Sequence, residues 1–142
     1  MSPTTAMRTA HGRFDVKLAP QPADDAAGGA AFSRLLLDKR FHGDLDATSA
    51  GQMIAHRTAV EGSAGYVAMK LVTGTLFGRR GSFVLQHSCT MQRGAPTQDI
   101  TVVPDSGTDA LVGLGGRMTI AIDGGAHSYS FEYSLAPLTP GA

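Results

Sequence analysis

The chain has no tryptophan, a single cysteine (Cys89) and no excess charge of either sign. One cysteine cannot form an internal disulfide or a cysteine-based zinc site. Twelve Lys and Arg balance twelve Asp and Glu. This balance argues against a nucleic-acid partner, because nucleic-acid binding usually needs a basic patch. Since no apolar run approaches the roughly 20 residues that span a bilayer, we also expect no membrane partner.

The size and composition fit one soluble domain. The 142 residues are 42% hydrophobic and 17% charged, so the chain is too apolar for a disordered protein. The N-terminal segment is polar and lacks a secretory signal, which favours a cytoplasmic location. We expect a single domain over residues 1–142, with its ordered part at about 8–135 and a flexible tail at 136–142.

Alternation of apolar and polar residues recurs along the chain, with glycine-rich turns between the segments. Residues 13–18 and 126–135 alternate most clearly, and residues 20–29 form a proline- and glycine-rich loop. Successive short hairpins make neighbours of consecutive strands, and closure removes exposed sheet edges. The pattern therefore predicts an all-β protein, a single eight-stranded antiparallel β-barrel of calycin-like shape.

The phase of each alternating segment predicts which side chains point into the barrel. Lys39 falls in phase with apolar neighbours, whereas Arg79 and Arg80 are expected in a solvated hairpin tip. The predicted inward-facing residues are Phe14, Val16, Leu35, Leu37, Val67, Met69, Leu71, Phe83, Leu85, Met118, Ile120, Ile122 and Phe131.

Four segments stand in a familiar order and spacing: LDKRFHGDL at 37–45, GSAGYVA at 62–68, GSFVLQHS at 81–88 and VVPDSGT at 102–108. Over residues 8–135 the chain resembles a bacterial domain-of-unknown-function family, number 3224, and departs from it at Cys89, where glycine is expected. The resemblance implies a small barrel of the allene-oxide-cyclase-like type. Related barrels, such as dirigent proteins and spirotetronate-forming cyclases, enclose reactive hydrophobic intermediates without a cofactor. None of their catalytic motifs matches residues here, so the resemblance implies a fold and no reaction.

His87 is the first candidate for chemistry. It shares a strand face with Leu85 and Cys89, and a titratable group in an apolar pocket is typical of a functional site. His87 is therefore the predicted catalytic acid or base. The alternative is a core histidine satisfied by a neighbouring polar group. Cys89 is a predicted substrate-binding residue, although a free cysteine more often packs as a small hydrophobe.

Three further residues are predicted to bind substrate. Lys39 could hold an enolate or polarise a carbonyl, unless its stem only lies along the barrel mouth. Tyr129 and Tyr133 share a face with His127 and could donate to an oxyanion, although such aromatics are often simply core. The histidines show no recurring ligand spacing, so we expect neither a metal nor a cofactor.

Two functions remain open at this point. The first is a cofactor-independent isomerase or cyclase acting on a small hydrophobic molecule. The second is a non-catalytic carrier or scavenger of the same kind of ligand, and a packed barrel that serves only in assembly is a further alternative. Because Thr101, Val103 and the small-residue strands offer little surface charge, a homodimer is also expected.

Overall fold

The protein, known here from a computed structural model, is described over residues 7–22 and 31–136. These residues form eight strands and one short 3₁₀ helix. The strands are β1 (Arg8–Pro20), β2 (Ser33–Phe41), β3 (Leu45–Arg57), β4 (Ala64–Leu76), β5 (Arg79–Gln92), β6 (Ala95–Val102), β7 (Gly115–Asp123) and β8 (Ala126–Ser134), with the 3₁₀ helix at Asp109–Leu111. No helix in this part of the chain is long and apolar enough to cross a membrane.

Each strand pairs antiparallel with the next, and β8 pairs with β1, so the sheet closes. The predicted eight-stranded antiparallel barrel is confirmed. The weakest seam lies between β6 and β7, where only Ile100 pairs with Met118 and Thr101 with Arg117. Residues 23–29 of the predicted 20–29 loop and the tail from 137 onward lie outside the described residues.

The β4–β5 connection is tighter than the sequence predicted. Phe77 and Gly78 form a two-residue turn with φ of 46° and 80°, and Leu76 pairs directly with Arg79. The expectation that Arg79 and Arg80 form a hairpin tip is therefore wrong, because both belong to β5. Arg79 is half-buried and donates from Nε to the carbonyl oxygen of Ala110 at 3.1 Å.

One end of the barrel is filled with large side chains. Phe83 and Phe131 stack with ring centroids 5.8 Å apart, and Leu45 and Leu76 are 1% exposed. Phe41 packs edge-on against Tyr129 at 5.5 Å. Dense packing here leaves the opposite end of the barrel for any ligand.

The predicted facing of β4 is wrong. Val67, Met69 and Leu71 are 56%, 49% and 52% exposed and point outward. Both phases of β4 carry apolar residues, and the prediction chose the phase of Val67, Met69 and Leu71, which placed Lys70 outside. The structure instead buries the other phase, and Lys70 is 1% exposed.

The other predicted inward positions divide between the packed core and the open end. Ile122, near the end of β7, is 68% exposed and borders the cavity at the open end. Half-buried positions are Val16, Leu35 and Ile120, and buried positions are Phe14, Leu37, Phe83, Leu85, Met118 and Phe131.

Candidate functional site

A cavity of about 210 Å³ occupies the less densely packed end of the barrel. Its wall is mainly apolar and includes Val16, Leu37 and Ile120. Its polar lining residues are Lys39, Tyr66, Lys70, His87, Gln98 and His127. At about 30 Å³ per water molecule, this space equals about seven waters, so it fits a small organic molecule.

Lys39 and Lys70 reach the cavity from β2 and β4, on either side of β3. In the ladders, Lys39 pairs with Ser49, and Lys70 pairs with Gly51. Residues directly opposite each other in a ladder project to the same face of the sheet, so both lysines point inward. Lys39 is 8% exposed, and its ammonium lies 4.7 Å from the centroid of the Phe14 ring, a cation–π distance.

Gly51 leaves the space through which the Lys70 side chain passes. A Cβ at position 51 would lie 2.2 Å from the Met69 carbonyl oxygen and 3.0 Å from Cγ of Lys70. Ser49, beside it on the same face, has a buried Oγ without a hydrogen-bond partner in the described structure. The local sequence of β3 thus makes room for Lys70.

His87 joins two polar side chains into one chain of hydrogen bonds. Its Nε2 lies 3.1 Å from the Tyr66 hydroxyl, and its Nδ1 lies 3.1 Å from Nζ of Lys70. A neutral imidazole carries one proton, so His87 donates to one of these neighbours and accepts from the other. The Tyr66–His87–Lys70 chain can therefore relay a proton along the cavity floor.

The electrostatics of this chain follow from burial beside two amines. Burial lowers the pKa of Lys39, and burial together with the charge of Lys39 lowers the pKa of Lys70 to about 6. Burial, then the charges of Lys70 and Lys39, lower the pKa of His87 to about 3. Burial raises the pKa of Tyr66, and the adjacent Cys89 raises it further. At neutral pH, His87 is uncharged and Lys70 is largely a free amine.

Cys89 lies next to this cavity, on a separate groove. It is 6% exposed and lines a groove of about 470 Å³ together with Phe32, His56, Tyr66 and Gln98. Its thiol lies 3.8 Å from the carbonyl oxygen of Thr90. Tyr66 and Gln98 line both spaces, so they separate Cys89 from the lysine cavity.

Tyr129 and Tyr133 point inward but lie toward the filled end. Tyr129 accepts a hydrogen bond from the Leu45 N–H at 3.0 Å, and its hydroxyl lies 2.7 Å from the His42 carbonyl oxygen. Burial raises the pKa of both phenols. Neither residue lines the cavity, whereas Lys39 and His87 do. The structure thus brings together two of the five predicted site residues, with Cys89 adjacent.

The β6–β7 seam borders the cavity. Between the Ile100–Met118 pair and the start of β6, the two strands are not paired through their backbones. There the Gln98 side chain accepts a hydrogen bond from the Ile120 N–H at 3.3 Å. An exposed ion pair, Arg117 with Asp99 at 3.5 Å, also crosses the seam. A side-chain amide replaces the backbone ladder here, so this wall is the easiest part of the barrel to open.

The cavity floor carries polar groups that suit proton transfer. Over residues 7–22 and 31–136, no three His, Cys, Asp or Glu side chains form a group that could hold a metal ion. The polar atoms at the cavity floor are two amines, an imidazole and a phenol. Such groups can move protons and bind carbonyl or anionic oxygens.

Sequence reasoning missed Tyr66 and Lys70, although a signal for both was present. The clear alternation of β5 places its odd-numbered residues, His87 among them, inward. A hairpin loop of two or four residues pairs these odd-numbered positions with the even-numbered positions of β4. Lys70 indeed pairs with Leu85, and Tyr66 with Cys89. Cross-strand parity would therefore have placed both residues in the lumen.

Comparisons with known proteins agree on the family. The family model described as "Protein of unknown function (DUF3224)" matches residues 10–133. A crystal structure of a protein of unknown function from the same family, from Shewanella oneidensis MR-1, is 46% identical, with a TM-score of 0.86. The match covers 93% of this chain and 100% of that one. No curated protein matches the chain. The chain belongs to the DUF3224 family.

Proposed function

We propose that this barrel binds a small, mainly apolar molecule in the cytoplasm and acts on it as a cofactor-independent isomerase or cyclase. The observation that carries the proposal is the Tyr66–His87–Lys70 chain at the floor of an apolar cavity. An apolar wall with a few convergent polar groups is typical of small-molecule sites. In this proposal His87 passes the proton, and the Lys39 ammonium stabilises the negative charge that develops on a substrate oxygen.

Binding is tested by filling the cavity. Ile120 lines it, whereas Ala121, the next residue of β7, is exposed. We expect Ile120→Trp to abolish binding of the apolar fluorophore 1-aminoanthracene, and Ala121→Trp to leave binding unchanged. Equal binding by both variants, or none by the unmodified protein, would contradict a ligand site in the lumen. Because the chain has no tryptophan, the new indole also reports its own surroundings by fluorescence.

Proton transfer is tested by isotope exchange. In D₂O we expect the protein to accelerate deuterium incorporation beside the carbonyl of cyclohexanone, measured by NMR. His87→Ala should lower this rate by about 100-fold, the usual contribution of an acid or base. Circular dichroism and 1-aminoanthracene binding serve as controls for folding and for the cavity. Exchange at the buffer rate with the unmodified protein would refute proton transfer.

A non-catalytic carrier is the alternative, and one observation favours it. An efficient acid or base has a pKa near the working pH. Burial beside the lysines instead lowers the pKa of His87 to about 3, which makes the imidazole a weak base at neutral pH. A carrier would bind 1-aminoanthracene in the lumen and show no exchange, whereas an isomerase would do both.

We also retain the homodimer as a proposal. The outward face of β4 presents Val67, Met69 and Leu71, about half exposed, and these are the most apolar side chains of that wall. Light scattering at low micromolar concentration should give the mass of two chains, and Met69→Glu should give the mass of one. A monomer without any substitution would remove the homodimer.

A further inference from the structure

Two of the three lysines of the chain end in the same apolar cavity. Lys39 is 8% and Lys70 1% exposed, whereas Lys17 is exposed on the outside of β1. None of the cavity-lining residues in the described part of the chain is an aspartate or glutamate. Two adjacent amines without a carboxylate are costly to charge together, because both would be desolvated and would repel each other.

The environment decides which amine stays uncharged. The Lys39 ammonium lies over the face of Phe14, where a cation is stabilised. Lys70 is more deeply buried and is hydrogen-bonded to the neutral imidazole of His87. At neutral pH, Lys70 therefore offers a nitrogen lone pair to the cavity. A desolvated lysine next to another cation is an arrangement that activates lysine as a nucleophile.

We propose that Nζ of Lys70 forms a Schiff base with the carbonyl carbon of a small aldehyde or ketone bound in this cavity. The inference rests on the proposed ligand site and names the chemical class of the ligand. The nitrogen attacks the carbonyl carbon, so a C–N bond forms and the carbonyl oxygen becomes a hydroxyl. That oxygen then leaves as water as the imine forms. Addition of water to the imine regenerates the lysine, so the cycle needs no oxidant or reductant.

The neighbours of Lys70 supply the proton steps of this cycle. Attack leaves an excess proton on Nζ and a negative charge on the carbonyl oxygen, and His87, 3.1 Å from Nζ, can accept that proton and return it to the oxygen, which becomes the hydroxyl. The Lys39 ammonium can stabilise the oxygen as negative charge develops on it. A protonated imine withdraws electrons from the adjacent C–H bond, so even the weakly basic His87 can remove that proton. The Schiff base thus reconciles the low basicity of His87 with proton transfer.

The experiment is reductive trapping with defined carbonyl probes. The protein is incubated at pH 7 with benzaldehyde or acetaldehyde and sodium cyanoborohydride, and peptide mass spectrometry measures labelling of each lysine over time. We expect Lys70 to be labelled at least about tenfold faster than Lys17, which is an internal reference in the same chain. The Lys70 rate should rise to half its maximum near pH 6.

Variants separate reactivity from mere access. Lys39→Met should slow labelling of Lys70 at pH 7, because removing the neighbouring charge lets Lys70 hold its proton more tightly. Lys17→Arg should leave that rate unchanged. If Lys70 in the folded protein is labelled no faster than Lys17 by either probe, the Schiff-base proposal is overturned.

A second measurement distinguishes this failure from failure of the proposed function. If 1-aminoanthracene binds but neither aldehyde labels Lys70, the ligand site stands and only the covalent step is lost. If the fluorophore does not bind either, both proposals are lost. Rapid labelling of Lys70 in the unmodified protein supports the inference even if Lys39→Met fails to fold.

Discussion

The side-chain nitrogen of Lys70 lies 3.1 Å from Nδ1 of His87, and both groups are at least 96% buried. At this distance an ammonium and an imidazolium would repel each other strongly, so the two groups cannot both be positively charged. The pair therefore holds at most one added proton at neutral pH. This restriction determines the pH dependence both of stability and of any chemistry in the cavity.

Lys70 should make the protein less stable as the pH falls. Its pKa is about 6 in the folded state and 10.5 when unperturbed, so between these values the unfolded chain binds more protons. The free energy of unfolding contributed by this group therefore rises with pH from about 6 to 10.5 and is lowest below 6. We expect Lys70→Met to be more stable than the unmodified protein at pH 7. Urea titrations at several pH values should show this gain shrinking toward pH 10.5, and an equal pH dependence for both proteins would contradict it.

His87 should remain neutral throughout the physiological range. Because burial and the two lysines lower its pKa to about 3, its imidazole ¹⁵N signals should stay in the range of a neutral ring between about pH 5 and pH 8, with only a small change as Lys70, 3.1 Å away, titrates near pH 6. In the double variant Lys39→Met/Lys70→Met, the two charges that help to lower the pKa are gone, so it should rise. Protonation of both ring nitrogens with a midpoint near 6.5 in the unmodified protein would show that His87 is not buried as described.

Gly51→Ala should destabilise the barrel by about 1–3 kcal/mol, the usual cost of overpacking. The new Cβ would meet the Met69 carbonyl oxygen at 2.2 Å, so β3 and β4 must shift. Gly65→Ala is the matched control on the neighbouring strand, since its Cβ would have no contact closer than 3.8 Å. Urea unfolding should separate the two variants. Equal stability would mean that the strands adjust freely at position 51.

Tyr129→Phe should cost about 1–3 kcal/mol of stability, because it leaves the buried Leu45 N–H without its partner. The same hydroxyl lies beside the His42 carbonyl oxygen, so the β2–β3 connection should loosen first. We expect 1-aminoanthracene binding to stay intact, since Tyr129 does not line the cavity. Loss of binding without loss of stability would return Tyr129 to the substrate-binding role predicted from the sequence.

The alternation of residues within single strands determined the barrel and much of its core. In β5, the phase of Phe83, Leu85 and His87 is more apolar than the phase of Val84, Gln86 and Ser88, and burying the first phase keeps more apolar surface out of water. The same argument placed Lys39 among inward-facing side chains, which the structure confirms at 8% exposure. The antiparallel order, and the facing of strands with one clearly apolar phase, were therefore accessible without coordinates.

Only the tertiary structure decided which polar groups meet. In β4 both phases are apolar, so burial alone did not choose between Val67 and Ala68, and pairing with β5 brought Ala68 and Lys70 inside. The distance from Lys70 to His87 depends on the register of the β4–β5 hairpin, and the separation of Tyr129 from the cavity depends on strands far apart in sequence. Alternation within a strand determines which face a side chain occupies, whereas its neighbours across the lumen are determined by closure of the whole sheet.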